Sequence, residues 1–348
     1  MQRKIDFNSI RKILLIKLRG IGDVVLSTIV LKNLRNAFPN AKIDYLTEPP
    51  SEPVLKNLPL VHDVLVYDRH TMNPVRFLFA VRKCNYDLII DLFGNPRTAL
   101  ITRVSGATYR VGFNLRGRKY AYNILVERDM NLHSAEHNLL PLEVIGVQIV
   151  SRQLEFAVPE SDMTAAEQFL QQNIASGKLL IGLALGGGWH SKRCTTEKFA
   201  AIADAVIERF GAEVIIVWGP QDKTDAERIH SLMRHRSMLL PPTTVLEAAA
   251  FFKQCDAVIA NDSGPMHIAV AVGTPTLAIF GPTNPYAQGP YGEQHEWVRN
   301  EKLDCLCCNL LNCPIQHRCM TELPVEQVVK AMERLMQKNR IEVLHANP

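Results

Sequence analysis

Apolar runs of strand length alternate with amphipathic stretches of helix length along nearly all of this 348-residue chain, and no other feature constrains its fold as much. Strands are expected over residues 12–18, 41–47, 63–67, 87–92, 179–185 and 213–218. Helices are expected over 24–38, 74–83, 134–145, 196–210 and 244–254. A polar, extended stretch near 151–159 interrupts the series, which restarts with a helix from Ser161. Repeated βα units bury a parallel sheet beneath helices on both faces. Two such series predict an α/β protein of two doubly wound, Rossmann-like domains, 1–155 and 156–324. A C-terminal helix and tail, 325–348, could pack back on the first domain. Ligands of such sheets bind beyond the carboxyl ends of the strands, so the turns there should open onto one inter-domain cleft.

The richest of these turns lies in DAVIANDSGPMHIAVAVGTPTLAIFGP, residues 256–282. Residues 257–260 read as a buried strand, Asn261-Asp262-Ser263-Gly264 as a tight turn into a helix, and 275–280 as the next strand after Gly273. A helix N-terminus at such a turn points backbone N–H groups and a positive dipole end at an anion such as a pyrophosphate. Asp262 and His267 flank it with groups that can hydrogen-bond a sugar, so the segment reads as a sugar-nucleotide site. The plainer reading is an ordinary N-cap at Asp262 or Ser263.

A second turn follows the first strand: Arg19-Gly20-Ile21-Gly22-Asp23. Gly20-x-Gly22, with Glu48 as a ribose acid, invites a dinucleotide-binding reading. Val25 at the third glycine position and the Asp23 carboxylate where a pyrophosphate would lie both argue against it. An aspartate on a glycine-rich turn can cap a helix, or it can act as a general base that deprotonates an acceptor hydroxyl. Attack of that hydroxyl on an anomeric carbon also needs a cation for the departing diphosphate. Lys192 or Arg193, on the loop Gly186-Gly187-Gly188-Trp189-His190-Ser191-Lys192-Arg193, could supply it.

Composition narrows the partners. With 47% hydrophobic and 21% charged residues the chain has a globular balance, and no apolar run approaches the ~20 residues that span a bilayer. The N-terminus lacks a signal-peptide core, and eight cysteines without an export signal argue for a reducing cytoplasm. The net charge of +4 is unevenly spread: residues 1–150 carry 21 Lys and Arg against 13 Asp and Glu, the remainder 18 against 22. No acidic residue occurs from Leu92 to Val126, where Arg97, Arg103, Arg110, Arg116, Arg118 and Lys119 all fall. Such a half suits an anionic partner, either an acidic glycan or a phospholipid surface; no nucleic-acid motif accompanies it.

With these three sites in order, the chain resembles glycosyltransferase family 9, the lipopolysaccharide heptosyltransferases, from about Ile13 to Leu335. The matching pieces are ILLIKLRGIGDVVLSTIVLKNLRNAFPNAKIDYLT, GWHSKRCTTEKFAAIADAV and NDSGPMHIAVAVGTPTLAIFGPTNP. The resemblance implies a GT-B fold and metal-independent, inverting transfer of heptose from ADP-heptose to an acidic inner-core acceptor at the inner membrane face. It casts Asp23 as the base and Lys192 as the contact to the donor diphosphate. Asp262, Ser263, Gly264 and His267, with Gly22, fall to the donor side, and Asp222 to its ribose. Arg97, Arg110, Arg116, Arg118 and Lys119 would meet the acceptor. Where the family often shows Trp-Pro after the lysine, Cys194-Thr195 stand here, which bears on the donor pocket and the sugar transferred.

Cys305, Cys307, Cys308, Cys313 and Cys319 crowd one segment, and Cys305, Cys308, Cys313 and Cys319 could provide four thiolates for a structural zinc. Packed or oxidisable thiols are the other reading. Their distance in sequence from both turns suggests a structural role, and catalysis itself is expected to need no cofactor. The rival functions are a non-catalytic sugar-nucleotide or glycan-binding protein, a nucleotide-sugar epimerase, and a transferase using another donor sugar or a protein acceptor.

Overall fold

The side chains that fill strand positions are aliphatic, and they assemble two parallel sheets, each with its own core. The computed structural model describes residues 5–174 and 177–341, so Met1 to Lys4 and the expected tail beyond 341 lie outside the described residues. The chain divides into two units, one ending at Ala157 and one beginning at Val158.

The first unit contains β1 (Lys12–Ile16), β2 (Lys42–Thr47), β3 (Asp63–Val66), β4 (Leu88–Asp91), β5 (Tyr109–Phe113) and β6 (Ile124–Val126). They form one sheet in the order β3-β2-β1-β4-β5-β6, every pairing parallel. The second unit contains β7 (Leu180–Ala184), β8 (Glu213–Val217), β9 (Met238–Leu239), β10 (Ala257–Asn261), β11 (Thr276–Ile279) and β12 (Glu296–Val298). Read from its other edge, that sheet runs β9-β8-β7-β10-β11-β12, again all parallel. Both sheets therefore have the same doubly wound order, with a topological switch between β1 and β4 in one and between β7 and β10 in the other.

Burial explains the strands. Ile13 to Ile16 and Ala257 to Ala260 are fully covered, as strands enclosed on both faces require. Caps fix the helices: Asn73 accepts from the amides of Val75 and Arg76 to start Pro74–Lys83. Thr195 starts Thr196–Phe210, which ends at Gly211 with φ +65°. The helix Val325–Asn339 buries Val328, Met332, Leu335 and Met336 in the core of the second unit, against Thr196–Phe210 and the β11–β12 edge. No helix among the described residues is long and apolar enough to cross a membrane.

Two departures from expectation have local causes. The single helix over 24–38 is two, Ile21–Ser27 and Val30–Ala37. At the break, Thr28 Oγ1 bonds back to Val25 O (2.6 Å) and accepts from Glu155 N (2.8 Å), which ties the bend to the end of the unit. The helix over 134–145 is likewise two short pieces, Ser134–His137 and Leu140–Val144, with Pro141 opening the second.

Candidate active site

In the first unit the turn after β1 is built around Gly20, whose φ of +82° is open to glycine at little cost. Gly20 N-caps Ile21–Ser27 and places Asp23 in its first turn, exposed, where the helix dipole favours a carboxylate. The Asp23 carboxylate folds back over the Cα of Gly20, so a side chain there would collide with it.

Beneath that turn lies a polar cluster that sequence reasoning did not single out. Lys17 follows β1 directly, and its Nζ donates to Leu92 O at 3.2 Å. Burial lowers the Lys17 pKa, Asp23 and Asp91 oppose that effect, and Arg128 adds to it. Asp91, fully buried at the end of β4, accepts from the amides of Phe93 (3.0 Å) and Gly94 (2.8 Å) and from Tyr122 Oη (2.7 Å). Burial raises its pKa against the pull of those bonds. Arg128 lies over Phe113 at 5.5 Å, and Phe113 stacks on His137 at 4.5 Å. His137 is pushed down to about 4, first by burial and then by Arg128 and Lys17. The available sequence signal was position: a lysine closing the run KILLIK and an aspartate closing LIID.

Strand polarity sorts the basic residues. Arg97 sits in the first turn after β4, on the same sheet edge as Asp23, pairing with Glu48 at 3.1 Å and lying 5.3 Å from the Tyr67 ring. Arg116 and Arg118 lie on the loop leaving that edge after β5, and Lys119 starts the next turn; Arg116 and Lys119 are exposed. Arg110 is different. It stands near the start of β5, at the opposite edge, and its guanidinium straps Ala121 O (2.9 Å) and Ala107 O (2.6 Å). Its geometry serves the backbone rather than a ligand beside Asp23.

In the second unit three turns converge. Asn261, closing β10, bonds Leu185 O (2.7 Å) and accepts from Cys194 N (2.9 Å), which stitches the loops after β7 and β10 together. Lys192 Nζ pairs with Asp262 Oδ2 at 2.8 Å and lies 4.8 Å from the Trp189 ring. Thr283 Oγ1 donates to the same Asp262 oxygen. Arg193, the alternative cation, is committed elsewhere: to Asp222 (3.2 Å), to Asp225 (2.9 Å) and to Gly187 O (2.8 Å). Burial raises the Asp222 pKa, and Arg193 pulls the other way. Gly186 lies so close to Pro265 and Asp222 that a Cβ there would touch both.

Ser263 N-caps Gly264–Ala271 without a side-chain capping bond. Its hydroxyl and that of Ser191 are buried and have no partner among the described residues. Pro265 follows at the first turn and brings no N–H, so the backbone donors of this cradle come from its neighbours. His267 is buried on the same helix. Gly22, placed with the donor residues by resemblance, lies in the first unit beside Asp23. Two buried hydroxyls without partners, beside a lysine–aspartate pair at a helix N-terminus, have the chemistry to hydrogen-bond an anion.

The model of glycosyltransferase family 9 (heptosyltransferase) matches residues 75–318. The chain belongs to glycosyltransferase family 9. It is 24% identical to lipopolysaccharide heptosyltransferase 1 of Campylobacter coli over 295 residues, covering 79% of this chain and 85% of that protein. The family 9 glycosyltransferase structure from Veillonella parvula superposes with a TM-score of 0.81 at 24% identity, covering 97% of this chain and 99% of that one. E. coli ADP-heptose lipopolysaccharide heptosyltransferase II gives 0.76 at 20% identity, with 94% and 99% covered. These structures establish the GT-B fold for this glycosyltransferase.

Within the family pattern, Cys194-Thr195 has a structural explanation. Thr195 supplies the cap of Thr196–Phe210, its Oγ1 accepting from Lys198 N at 3.2 Å, and the Cys194 side chain is buried in the core with its thiol pushed up to about 12 by burial.

The cysteine segment lies against the loops after β11 and β7 despite its separation in sequence. Asn309 N donates to Pro282 O at 2.9 Å, Cys319 Sγ lies against Gly281, and the His317 ring is 5.1 Å from that of His190. Arg299 Nη1 reaches Cys307 Sγ at 3.4 Å. The thiol of Cys319 is pushed up to about 11, by burial first and then by Cys313, Cys305 and Cys308. Among the described residues no group of three or more His, Cys, Asp and Glu side chains is arranged to hold a metal ion, and these thiols are included in that statement.

Proposed function

We propose that this glycosyltransferase inverts an anomeric centre, moving heptose from ADP-heptose to a hydroxyl of an anionic, lipid-linked inner-core glycan. The observation that carries the reading is the second-unit site: the Lys192–Asp262 pair with the buried orphan hydroxyls of Ser263 and Ser191 at a helix N-terminus. That is a hydrogen-bonding and charge environment for a sugar diphosphate. The relatives' names, which specify heptosyl transfer and ADP-heptose, support the choice of donor.

In this mechanism Asp23 takes the proton of the acceptor hydroxyl as its oxygen attacks the anomeric carbon. The bond from that carbon to the diphosphate oxygen breaks, and the negative charge that develops on the leaving ADP is met by the Lys192 ammonium and the Ser263–Gly264 turn. Asp262, itself held by the Thr283 hydroxyl, pairs with that ammonium. Asp222, held by Arg193, is available for a ribose hydroxyl. Arg97, Arg116, Arg118 and Lys119 screen the acidic acceptor.

The test is release of ADP from ADP-heptose with and without heptose-deficient lipopolysaccharide. Acceptor-dependent release supports the reading. Donor binding without release under any acceptor would move it to a sugar-nucleotide-binding protein, and absence of donor binding would remove ADP-heptose.

A further inference from the structure

The helix Pro74–Lys83 has two apolar faces, and only one is used by the fold. Val81 is buried and Phe77 and Leu78 are partly covered, packing on the core of the first unit, where Phe77 meets Tyr67 at 4.7 Å. The opposite face shows Val75 at 57% and Phe79 at 60% exposure, one turn apart, with Met72 at 42% just ahead of them. Arg76, Arg82 and Lys83 are exposed around this stripe. From Arg69 to Tyr86 there is no Asp or Glu, against Arg69, Arg76, Arg82 and Lys83. The neighbouring helix Pro96–Val104, which packs against this one, carries the same combination: Leu100 at 44% exposure between Arg97 and Arg103.

We propose that the outer face of Pro74–Lys83 docks on an anionic phospholipid bilayer. Exposed aliphatic and aromatic side chains, Val75 and Met72 above all, gain more from an acyl boundary than from a hydrated glycan. Cations beside them, with long apolar stems, reach the headgroup level while the stems stay in contact with the apolar layer. Each Lys or Arg near an anionic surface strengthens binding by about fivefold. A helix of this length with two or three inserted side chains gives reversible, salt-sensitive attachment. The helix begins just after β3, so its first turn lies at the same edge of the first sheet as Asp23. This surface goes beyond the transferase reading and does not depend on it.

The experiment is flotation of the purified full-length chain with phosphatidylethanolamine vesicles that contain or lack phosphatidylglycerol, with no donor present. Wild type is expected to float with the anionic vesicles and to be released by salt. The double variant Val75→Ser/Phe79→Ser should bind at least about tenfold more weakly, since two side chains no longer leave water. Arg76→Gln/Lys83→Gln should lose binding to anionic vesicles only. A second readout uses a single substitution at an exposed site: Phe79→Trp should shift its emission to the blue on anionic vesicles and be quenched by brominated lipid. Wild type that stays with the soluble fraction, or a serine variant that floats equally well, overturns the proposal. So does a serine variant that loses activity on a delipidated, soluble acceptor without vesicles, because the face would then be serving the glycan.

Discussion

Lys192 Nζ lies 2.8 Å from Asp262 Oδ2, joining the turns that leave β7 and β10 across the switch point of the second sheet. With Asp262 only 4% exposed, the pair has both a structural and a chemical role, and the two can be separated. Lys192→Met should lower stability by about 1–3 kcal/mol because it leaves a buried carboxylate facing only Thr283. It should also cut kcat by about 10²–10³ through the lost cation. Adding Asp262→Asn should restore much of the melting temperature and none of the turnover. Recovery of turnover in the double variant would make the lysine a structural partner only.

Asp23→Asn should reduce turnover by about 10²–10⁴ as the base is removed. Donor affinity, measured by calorimetry, should stay near that of wild type because the proposed donor contacts belong to the second unit. Turnover like that of wild type would end the base assignment.

Gly20 and Gly146 make a controlled comparison. Both have positive φ, +82° and +84°, but a Cβ on Gly20 runs into the Asp23 carboxylate whereas one on Gly146 meets nothing within 4 Å. Gly146→Ala should cost about 1–2 kcal/mol of stability from its positive φ, and Gly20→Ala at least as much, since its ψ of 103° lies outside the left-handed well. Only Gly20→Ala should also lower turnover, by displacing Asp23. Equal activity in the two variants would show that the collision is relieved without moving the carboxylate out of use.

Stability should fall in acid through His295. It is buried, its Nδ1 accepts from Thr276 N at 3.2 Å, and burial followed by the charge of Lys338 pushes it down to about 4. In the unfolded chain a histidine titrates near 6.5. As pH falls from about 6.5 to about 4, the unfolded state takes up a proton that the folded state refuses, so stability is lost in that window. The full effect is on the order of 3 kcal/mol. Melting curves of wild type and His295→Gln across that range should diverge toward acid, wild type falling faster. Parallel curves would show that the ring is protonated without penalty. His137 acts in the same direction, which is why the difference between the two proteins is the informative quantity.

The sequence revealed most where local signals and tertiary structure agree. The helices expected over 74–83 and 196–210 are found at Pro74–Lys83 and Thr196–Phe210, where Asn73 and Thr195 cap the starts and Gly211 closes the second. It revealed less where a strand is short or carries a charge. β5 contains Arg110 and was absorbed into a basic stretch, and β6, β9 and β12 have two or three residues each, too few for a period to show. Asp23 and Asp262 could be named as candidates from turn chemistry, and the third position only as Lys192 or Arg193 until the family resemblance chose the lysine. Their partners could not: nothing local distinguishes Lys192, which meets Asp262, from Arg193, which turns to Asp222 and Asp225. The surroundings of the cysteine segment were hidden for the same reason, since only the folded chain lays residue 309 against residue 282.

The shared strand order of the two sheets has a genetic consequence. Every ladder pairing among the described residues joins strands of one half to strands of the same half, so a crossover at the 157/158 junction would cut no hydrogen-bonded sheet. Each half also carries a lysine after its first strand and an aspartate at or just past its fourth: Lys17 with Asp91, and Lys192 with Asp262. A recombination at that junction would exchange the sheet that carries Lys192 and Asp262 whole while keeping the one that carries Asp23, so the two candidate sites can be inherited separately.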